Sequence, residues 1–325
     1  MLDPKTTVAL FPGQGSQKID MGRALAEAFP VAWETFTAAD EILGFPLTRL
    51  MWEGPEEALN DTANTQPALL THSLAAWRVL QEIAPDFRPA YMAGHSLGEL
   101  SALTAAGALD FADAVRLVRV RGEAMRRAGE ENPGRVAAIL GLEAAQVEAL
   151  CAQVSTPKAP VQVANDNSPG QVVVAGATPA VEAVIQKARE AGARRVLPLK
   201  VSVPAHTVLM EPARATFTAA LEQVTVHPPQ VPVIGNTSAQ PLTTADEVRA
   251  ELAAQLTGRV RWTETMRYLL SQGMRTFLEL GSGTVLLNLA KRFDRSLRLI
   301  PLGTPGDFEG CGDERSLRQL GQLRD

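Results

Sequence analysis

A single serine lies between two glycines in the segment from Gly94 to Gly98 (GHSLG), which has the spacing of a nucleophile elbow. Residues 90–93 form an apolar run typical of the end of a buried strand, and the Ala/Leu-rich run from Glu99 to Leu109 predicts a helix. Ser96 is therefore expected where a strand turns sharply into a helix, and glycines let the two elements approach there. Short patterns of this kind also occur in ordinary small-residue turns, so a structural turn is the alternative.

Two backbone amides are candidates for an oxyanion hole. The start of the predicted helix offers free N–H groups, and the Leu97 amide is nearest to a carbonyl that Ser96 attacks. The second candidate is the Gln14 amide in the loop 12–17, which follows the strand-like run 7–11. This loop lacks the GK[ST] and GxGxxG endings of nucleotide-binding loops, so it is either a plain tight turn or the second oxyanion donor of a hydrolase-type site.

A serine nucleophile needs a base, and the chain has four histidines. His95 adjoins the serine at a sharp turn, so its side chain diverges and is expected to be a wall of the pocket. His72 lies in the middle of a predicted helix, and His227 lies in a loop without polar companions. His206 lies in a loop where the chain returns from a predicted subdomain at 131–201 to the main body, and such a loop is expected to face the cleft between them. His206 is therefore either the base or a packed loop histidine. No acidic third member of a triad stands out, but a backbone carbonyl can also orient an imidazole.

Arginines cluster on a predicted helix from Phe111 to Glu130. At about 100° per residue, Arg121 is roughly 60° from the centre of the apolar face, and Arg126 is next at about 80°. An inward arginine must meet an anion. That anion is either a substrate carboxylate held bidentately or the carboxylate of an internal ion pair.

The elements that position these residues alternate between strand and helix, which predicts an α/β fold with a largely parallel sheet. Between residues 131 and 201 the order changes to βαββαβ, the order of a ferredoxin-like unit. We therefore predict a large α/β catalytic subdomain at 1–130 and 202–325 and a small ferredoxin-like subdomain at 131–201, with the site in the cleft between them. The last twenty or so residues are expected to form an irregular tail.

The composition is that of an ordinary globular chain of 325 residues, with 46% hydrophobic and 21% charged residues. A net charge of -5 gives no reason to bind nucleic acid or an anionic membrane. Cys151 and Cys311 have no paired spacing, which argues against a disulfide framework or a cysteine zinc site. Without a signal core or an apolar run of about 20 residues, the sequence predicts a cytoplasmic protein, and a monomer is the simpler expectation.

Five ordered motifs span nearly the whole chain: FPGQGSQ at 11–17, GHSLGE at 94–99, Arg121-Gly122 with Met125, NDNSPGQVVVAG at 165–176 and SVPAH at 202–206. Together they resemble the malonyl-CoA:acyl carrier protein transacylases. The resemblance implies an α/β-hydrolase-like core with a parallel sheet and an inserted ferredoxin-like subdomain. It also implies transfer of a malonyl group from malonyl-CoA to acyl carrier protein for fatty acid synthesis.

The resemblance further implies a ping-pong mechanism without cofactor or metal. Ser96 would attack the thioester of malonyl-CoA while His206 takes its proton. The amides of Leu97 and Gln14 would hold the oxyanion, and Arg121 would bind the malonyl carboxylate. Coenzyme A leaves, and the phosphopantetheine thiol of acyl carrier protein then takes the malonyl group from the serine.

In this family the main-chain carbonyl of a glutamine orients the histidine, and Gln255 matches that position, which accounts for the missing acid. The chain departs from the family next to the base, where Ala205 and Thr207 stand in place of the Ser and Cys or Ser that relatives often have. These departures concern the shape of the acyl pocket rather than the proton path.

Three alternatives share parts of this reasoning. A serine esterase or thioesterase would share the serine, the histidine and the oxyanion hole, but it needs no buried carboxylate clamp. A trans-acting polyketide acyltransferase would use the same chemistry. A carrier-protein docking subunit without activity is expected to lack the nucleophile or the base, and both Ser96 and His206 are present.

Overall fold

A computed structural model describes residues 2–199, 203–309 and 311. Its strands within these ranges are β1 (Thr7–Phe11), β2 (Tyr91–Gly94), β3 (Gly134–Leu140), β4 (Val161–Ser168), β5 (Gln171–Ala177), β6 (Arg195–Pro198), β7 (Val233–Ile234), β8 (Pro241–Leu242), β9 (Thr276–Leu280) and β10 (Arg298–Leu302).

Its α-helices within the same ranges are α1 (Arg23–Ala28), α2 (Pro30–Leu43), α3 (Leu47–Glu53), α4 (Glu56–Asn60), α5 (Thr62–Ile83), α6 (Leu97–Ala105), α7 (Phe111–Glu131), α8 (Ala144–Val154), α9 (Thr178–Glu190), α10 (Glu211–Glu222), α11 (Ala245–Gln255), α12 (Trp262–Ser271) and α13 (Val285–Ala290). Short 3₁₀ turns occupy Pro4–Thr6, Val208–Met210 and Pro305–Phe308. Within this described part, none of the helices has both the length and the apolar character that crossing a bilayer requires.

The larger sheet has the strand order β10-β9-β1-β2-β7-β8. Every neighbouring pair in it is parallel except β7 with β8. All five residues of β1 are buried, as expected for a strand covered on both faces of a parallel sheet. Because β1 and β2 are neighbours, their carboxyl ends bring the loop after Phe11 next to the serine turn. The predicted α/β fold with a largely parallel sheet is confirmed.

The smaller sheet is antiparallel and has the order β4-β5-β3-β6. With α8 and α9 it follows the predicted βαββαβ order, and these helices pack on one face of the sheet through apolar side chains such as Ile139, Val147 and Val181. The ferredoxin-like unit of the predicted fold class is therefore confirmed. The last strand, expected to run to Val201, ends at Pro198. The subdomain boundary at 201/202 and most of the expected tail lie outside the described residues, so the domain division stays a prediction.

One edge of the smaller sheet is continued by a residue of the main body. Val260 forms a parallel bridge with Asn165 of β4. Its N–H donates to the Ala164 carbonyl, and its own carbonyl accepts from the Asp166 N–H, both at 2.9 Å. The segment before α12 is therefore tied by main-chain hydrogen bonds to the edge strand.

Candidate active site

Ser96 lies between β2 and α6 in a strained backbone conformation, with φ 53° and ψ -108°. Non-glycine residues rarely adopt a positive φ. The flanking glycines are required sterically, because a Cβ at Gly94 would lie 1.9 Å from Gly98 main-chain atoms. A Cβ at Gly98 would lie 1.9 Å from the Phe11 carbonyl oxygen. The strand, the turn and the helix can therefore approach this closely only with glycine at both positions.

Asn236 supports the strained turn from the end of β7. Its Oδ1 accepts from the Ser96 N–H at 2.7 Å, and its Nδ2 donates to the Gly94 carbonyl at 2.7 Å. The side chain is buried. Sequence reasoning missed this residue. The signal was a polar side chain at the carboxyl end of a short apolar run, and its meaning depends on the pairing of β7 with β2.

His206 reaches Ser96 from the other side of the cleft. Its Nε2 lies 2.8 Å from the Ser96 Oγ. Its Nδ1 lies 2.9 Å from the Gln255 carbonyl oxygen and 3.1 Å from the Gly258 carbonyl oxygen. Carbonyl oxygens only accept, so Nδ1 carries the ring proton and Nε2 is left to accept the serine proton. A backbone carbonyl thus occupies the place that an acidic residue has in other triads.

Burial, together with the positive charge of Arg121, lowers the pKa of His206 from 6.5 to about 3. Its hydrogen bonds to the backbone oppose this shift. The imidazole is therefore neutral at physiological pH. A neutral ring next to a serine hydroxyl can accept a proton without first losing one.

Arg121 is completely buried on α7. Its Nη1 donates to Gln66 Oε1 and its Nη2 to Gln255 Oε1, both at 2.7 Å, and Nη2 also lies 3.2 Å from the Ser96 Oγ. Its Nε–H has no acceptor among the described residues.

The charge of this guanidinium is not neutralised by a direct partner. Arg119 and Arg126 on the same helix form ion pairs, whereas Arg121 is in no ion pair with a described residue. Burial lowers its pKa to about 10, so it remains a cation near neutrality. Among the described residues, no carboxylate forms a direct ion pair with Arg121, although the charge of Glu99 acts on it and opposes the lowering of its pKa.

Glu99 is a second buried ionisable group behind the serine. Its Oε1 accepts from the Asn236 N–H at 3.3 Å, and its Oε2 accepts from Gln255 Nε2. Burial and the nearby charge of Glu251 hold the pKa of Glu99 well above its ordinary value. Sequence reasoning gave this residue no role, although a carboxylate in an Ala/Leu-rich helix was a visible signal.

The two predicted oxyanion donors lie on neighbouring elements. Leu97 is the first residue of α6, and Gln14 follows β1, the strand paired with β2. Neither backbone N–H has an acceptor among residues 2–199, 203–309 and 311. The side-chain oxygen of Gln14 accepts instead from Thr62 Oγ1 at 2.9 Å. Both amides are therefore free to bind a ligand oxygen.

His95 lines the cleft but lies outside the proton path between Ser96 and His206. Its Nε2 lies 2.8 Å from Asn167 Oδ1, and its ring packs 5.5 Å from the Trp262 ring. Burial lowers its pKa. The other two histidines lie apart: His72 is buried with Nε2 3.0 Å from the Gly303 carbonyl oxygen, and His227 is exposed.

The cleft at Ser96 has a volume of about 1180 Å³. Ser96, His206 and Gln14 line it from the main body, and residues of the smaller sheet such as Asn167 and Val173 line it from the other side. This volume accommodates an extended ligand. Within the described residues no cluster of three or more His, Cys, Asp or Glu side chains is arranged to hold a metal ion.

Known proteins are similar to this chain along almost its whole length. The sequence model of the acyl transferase domain family matches residues 8–301. The malonyl CoA-acyl carrier protein transacylase of Haemophilus influenzae is 43% identical over 304 residues, which are 94% of this chain and 97% of that protein. The protein of the same name from Bacillus subtilis is 44% identical over 302 residues, 92% of this chain and 94% of the relative.

Solved structures resemble this chain in fold and in sequence. An acyl carrier protein S-malonyltransferase from Vibrio cholerae has a TM-score of 0.90 and 42% identity, covering 94% of this chain and 99% of its own. A malonyl-transacylase solved in complex with the holo form of its type II PKS acyl-carrier protein also has a TM-score of 0.90, with 43% identity and coverage of 94% and 98%. The present chain belongs to the acyl transferase domain family, the family that its ordered motifs predicted.

Proposed function

We propose that this chain transfers a malonyl group from malonyl-CoA to the phosphopantetheine thiol of an acyl carrier protein, supplying fatty acid synthesis. The transfer passes through an ester on Ser96. Relatives that carry the name malonyl CoA-acyl carrier protein transacylase over more than nine tenths of this chain support this activity.

In the first half of the reaction, the Ser96 hydroxyl attacks the thioester carbonyl carbon, and its proton passes to His206 Nε2. The 2.8 Å separation between these two atoms supports this step. The negative charge on the carbonyl oxygen is bound by the Leu97 and Gln14 amides. The tetrahedral intermediate then collapses, the C–S bond breaks, and coenzyme A leaves with the proton from His206.

The observation that carries the choice of substrate is the buried guanidinium of Arg121. A cation without an ion-pair partner is costly to bury unless an anion joins it during function. Its Nη2 lies 3.2 Å from the Ser96 Oγ, so an acyl group on that oxygen brings its distal carboxylate within reach of the guanidinium. Arg121 therefore selects a carboxylated acyl group over an uncharged one.

In the second half, the thiol of the phosphopantetheine arm attacks the malonyl ester. His206 takes the thiol proton and returns it to the Ser96 oxygen as the ester C–O bond breaks. These steps use only groups of the protein and its two substrates. A structural neighbour whose title names a complex with its acyl-carrier protein supports a carrier protein as the second substrate.

A hydrolytic enzyme would need the same nucleophile and base, but it would not need a buried cation at the acyl group. The acceptor therefore distinguishes the two activities: a hydrolase passes the acyl group to water, whereas a transferase holds it until a thiol arrives. The expected monomer and the expected cytoplasmic location stay predictions.

The proposal is tested by incubating the protein with malonyl-CoA and measuring its intact mass. We expect one malonyl adduct, which is lost in Ser96→Ala and which moves to holo acyl carrier protein when that is added. The absence of an adduct, or an adduct that persists in Ser96→Ala, would contradict the mechanism. An adduct that decays in buffer as fast as it transfers to the carrier protein would instead indicate a hydrolase.

A further inference from the structure

The side chain of Gln162 reaches from β4, the edge strand of the smaller sheet, to the loop that carries the base. Its Nε2 lies 3.2 Å from the His206 carbonyl oxygen and 3.3 Å from the Thr257 carbonyl oxygen. Its Oε1 accepts from the Val208 N–H at 3.2 Å. One glutamine side chain therefore joins the base loop to the segment that follows α11.

Only one orientation of this amide satisfies all three contacts. The NH₂ group faces two carbonyl oxygens, and the amide oxygen faces a backbone N–H. In the reverse orientation the amide oxygen of Gln162 would oppose two acceptors, and its NH₂ group would oppose a donor. The contacts thus require an amide at this position, and neither a carboxylate nor an aliphatic side chain can replace it.

The segment that Gln162 contacts is the one that orients the imidazole. Thr257 lies between Gln255 and Gly258, whose carbonyl oxygens are 2.9 and 3.1 Å from His206 Nδ1. The His206 N–H also donates to the Leu256 carbonyl at 3.0 Å. A shift of this segment relative to the base loop would therefore move both acceptors of the ring proton.

His206 needs such support because its backbone has φ 61°, in the left-handed region that non-glycine residues rarely adopt. The conformation persists only where the surroundings determine it strongly. Gln162 binds the carbonyl of this same residue. The smaller sheet thus contributes directly to holding the strained residue in place.

We infer that Gln162 is a positioning residue for the transfer reaction, through which the smaller sheet holds the His206 imidazole in line with the Ser96 hydroxyl. The inference rests on the proposed function and extends it. The Gln162 amide contacts main-chain groups of the base loop and of Thr257, so we assign its effect to the position of His206 and not to contact with substrate.

This role predicts an effect on rate without an effect on substrate binding. A displacement of about 1 Å at a reacting group can cost on the order of a hundredfold in rate. For Gln162→Ala we expect the rate of Ser96 acylation by malonyl-CoA to fall about tenfold to a hundredfold. The malonyl-CoA concentration at half-saturation should change less than about twofold, since the cleft is unaltered.

Gln162→Glu is the sharper variant, because it keeps the size and the acceptor but removes the donor. Its carboxylate would oppose the His206 and Thr257 carbonyl oxygens, so we expect a loss at least as large as in Gln162→Ala. Gln153→Ala is the matched control. That glutamine is on α8 of the same ferredoxin-like unit and contacts Lys187, away from the base loop.

The pH profile separates positioning from general loss of structure. The groups facing His206 are Arg121 on α7 and His95 at the serine turn, and both lower its pKa in addition to burial. A loosened loop admits water, which reverses part of the lowering of the His206 pKa by burial. The pH below which the acylation rate falls, the acid limb, should therefore be higher in Gln162→Ala. Unfolding of a fraction of the molecules would lower the amplitude of acylation and leave the limb in place.

The experiment is single-turnover acylation followed by mass spectrometry, with amplitude and rate recorded separately across pH. A lower rate per active site in both Gln162 variants, an unchanged half-saturation and a shifted acid limb would support the inference. Rates per active site within twofold of the unaltered protein, or a loss confined to amplitude, would overturn it. Acylation of the unaltered protein tests the proposed function separately, since it does not depend on the outcome for Gln162.

Discussion

At the scale of single residues, the site combines a neutral base and a buried cation, and burial favours the working charge state of the first but disfavours that of the second. Burial keeps His206 neutral and ready to accept a proton, whereas the same burial makes the charge of Arg121 costly. Two amide oxygens, from Gln66 and Gln255, hold the guanidinium without neutralising it. The cation is thus fixed in direction, and no carboxylate of the described residues pairs with it directly.

We expect Arg121→Ala to lose malonyl transfer and to gain relative tolerance for acetyl groups. Sites built around a buried polar contact can reject a substrate that lacks it by a factor on the order of 10⁴, and the variant should lose most of this selectivity. The measurement is the ratio of kcat/KM for malonyl-CoA and acetyl-CoA. Arg116→Ala, an exposed position on the same helix, is the control. An unchanged ratio in Arg121→Ala would contradict the clamp.

A second expectation at this scale concerns pH. Because the pKa of His206 is lowered from 6.5 to about 3, the base stays neutral through mildly acidic solution. The acid limb of the reaction with Ser96 should therefore lie well below pH 6.5. The rate of labelling by a neutral, serine-directed fluorophosphonate measures this without titration of a substrate carboxylate. An acid limb near pH 6.5 would show that the imidazole is solvated like a free histidine.

At the scale of elements, the nucleophile depends on the neighbouring strands β1 and β7 as well as on its own turn. The end of β1, the end of β2 and the start of α6 meet around Ser96, and Asn236 holds the turn from β7. The sequence predicted the strand, the turn and the helix because their residues are contiguous. It did not predict Asn236, because that contact depends on which strands pair.

The same limit applies to strands that owe their existence to pairing. In the short apolar run that begins at Val231, only Val233–Ile234 pairs as a strand. β10 was not predicted, and it forms beside β9 at the sheet edge. The helix after the serine begins at Leu97, two residues before the predicted start at Glu99. The spacing of apolar residues thus predicted where most strands and helices lie, whereas their first and last residues depend on neighbours distant in sequence.

One buried carboxylate links an element to pH-dependent stability. Glu279 at the end of β9 accepts from the Leu286 and Leu287 N–H groups at the start of α13, at 3.1 and 2.9 Å. Burial raises its pKa from 4.5 to about 7. The folded state therefore binds the proton more tightly than the unfolded state. The resulting stability is complete below pH 4.5 and is lost as the pH rises towards 7.

We expect Glu279→Gln to make the free energy of unfolding less dependent on pH between these two values. Summed between the two pH values, the pH-dependent change in the free energy of unfolding should be smaller by about 3 kcal/mol in the variant, an order-of-magnitude figure from the size of the pKa shift. Urea unfolding at several pH values measures it. Glu41→Gln, at an exposed position on α2, should leave the slope unchanged. An equal slope in Glu279→Gln and the unaltered protein would contradict this account.

At the scale of the whole molecule, the contacts that join the smaller sheet to the main body include main-chain hydrogen bonds and a surface ion pair. Val260 makes buried main-chain hydrogen bonds to β4. Arg259 forms an ion pair with Glu148 of α8, whose side chain is 51% exposed. An exposed ion pair contributes about 0 to 1 kcal/mol, so the main-chain contacts are expected to set the arrangement.

For Glu148→Gln we therefore expect a change in unfolding free energy below about 1 kcal/mol and an unchanged transfer rate. Denaturant unfolding and the rate of malonyl transfer measure the two quantities. High salt applied to the unaltered protein should have an equally small effect, because it screens the same pair. A loss of transfer with retained stability would mean that this surface pair helps to orient the base loop.

How the molecule brings its two halves together was only partly visible in the sequence. From position alone, His206 is either a base or a packed loop histidine, because its place after the inserted unit gives no direction for its ring. The three carbonyl oxygens around it, those of Gln255, Leu256 and Gly258, are about fifty residues away in the chain. Contacts over such separations leave no local pattern that could be read.

The close approach of Gly98 to the Phe11 carbonyl has a further meaning for how this enzyme can change. The two amides proposed to bind the oxyanion, at Leu97 and Gln14, flank that contact, so the gap between them is set by the absence of a single Cβ. A methyl group at residue 98 would push the helix from the strand and widen the gap before it touched the serine. New acyl substrates are therefore expected to arise by substitutions in the walls of the cleft, while this glycine stays as the spacer of the hole.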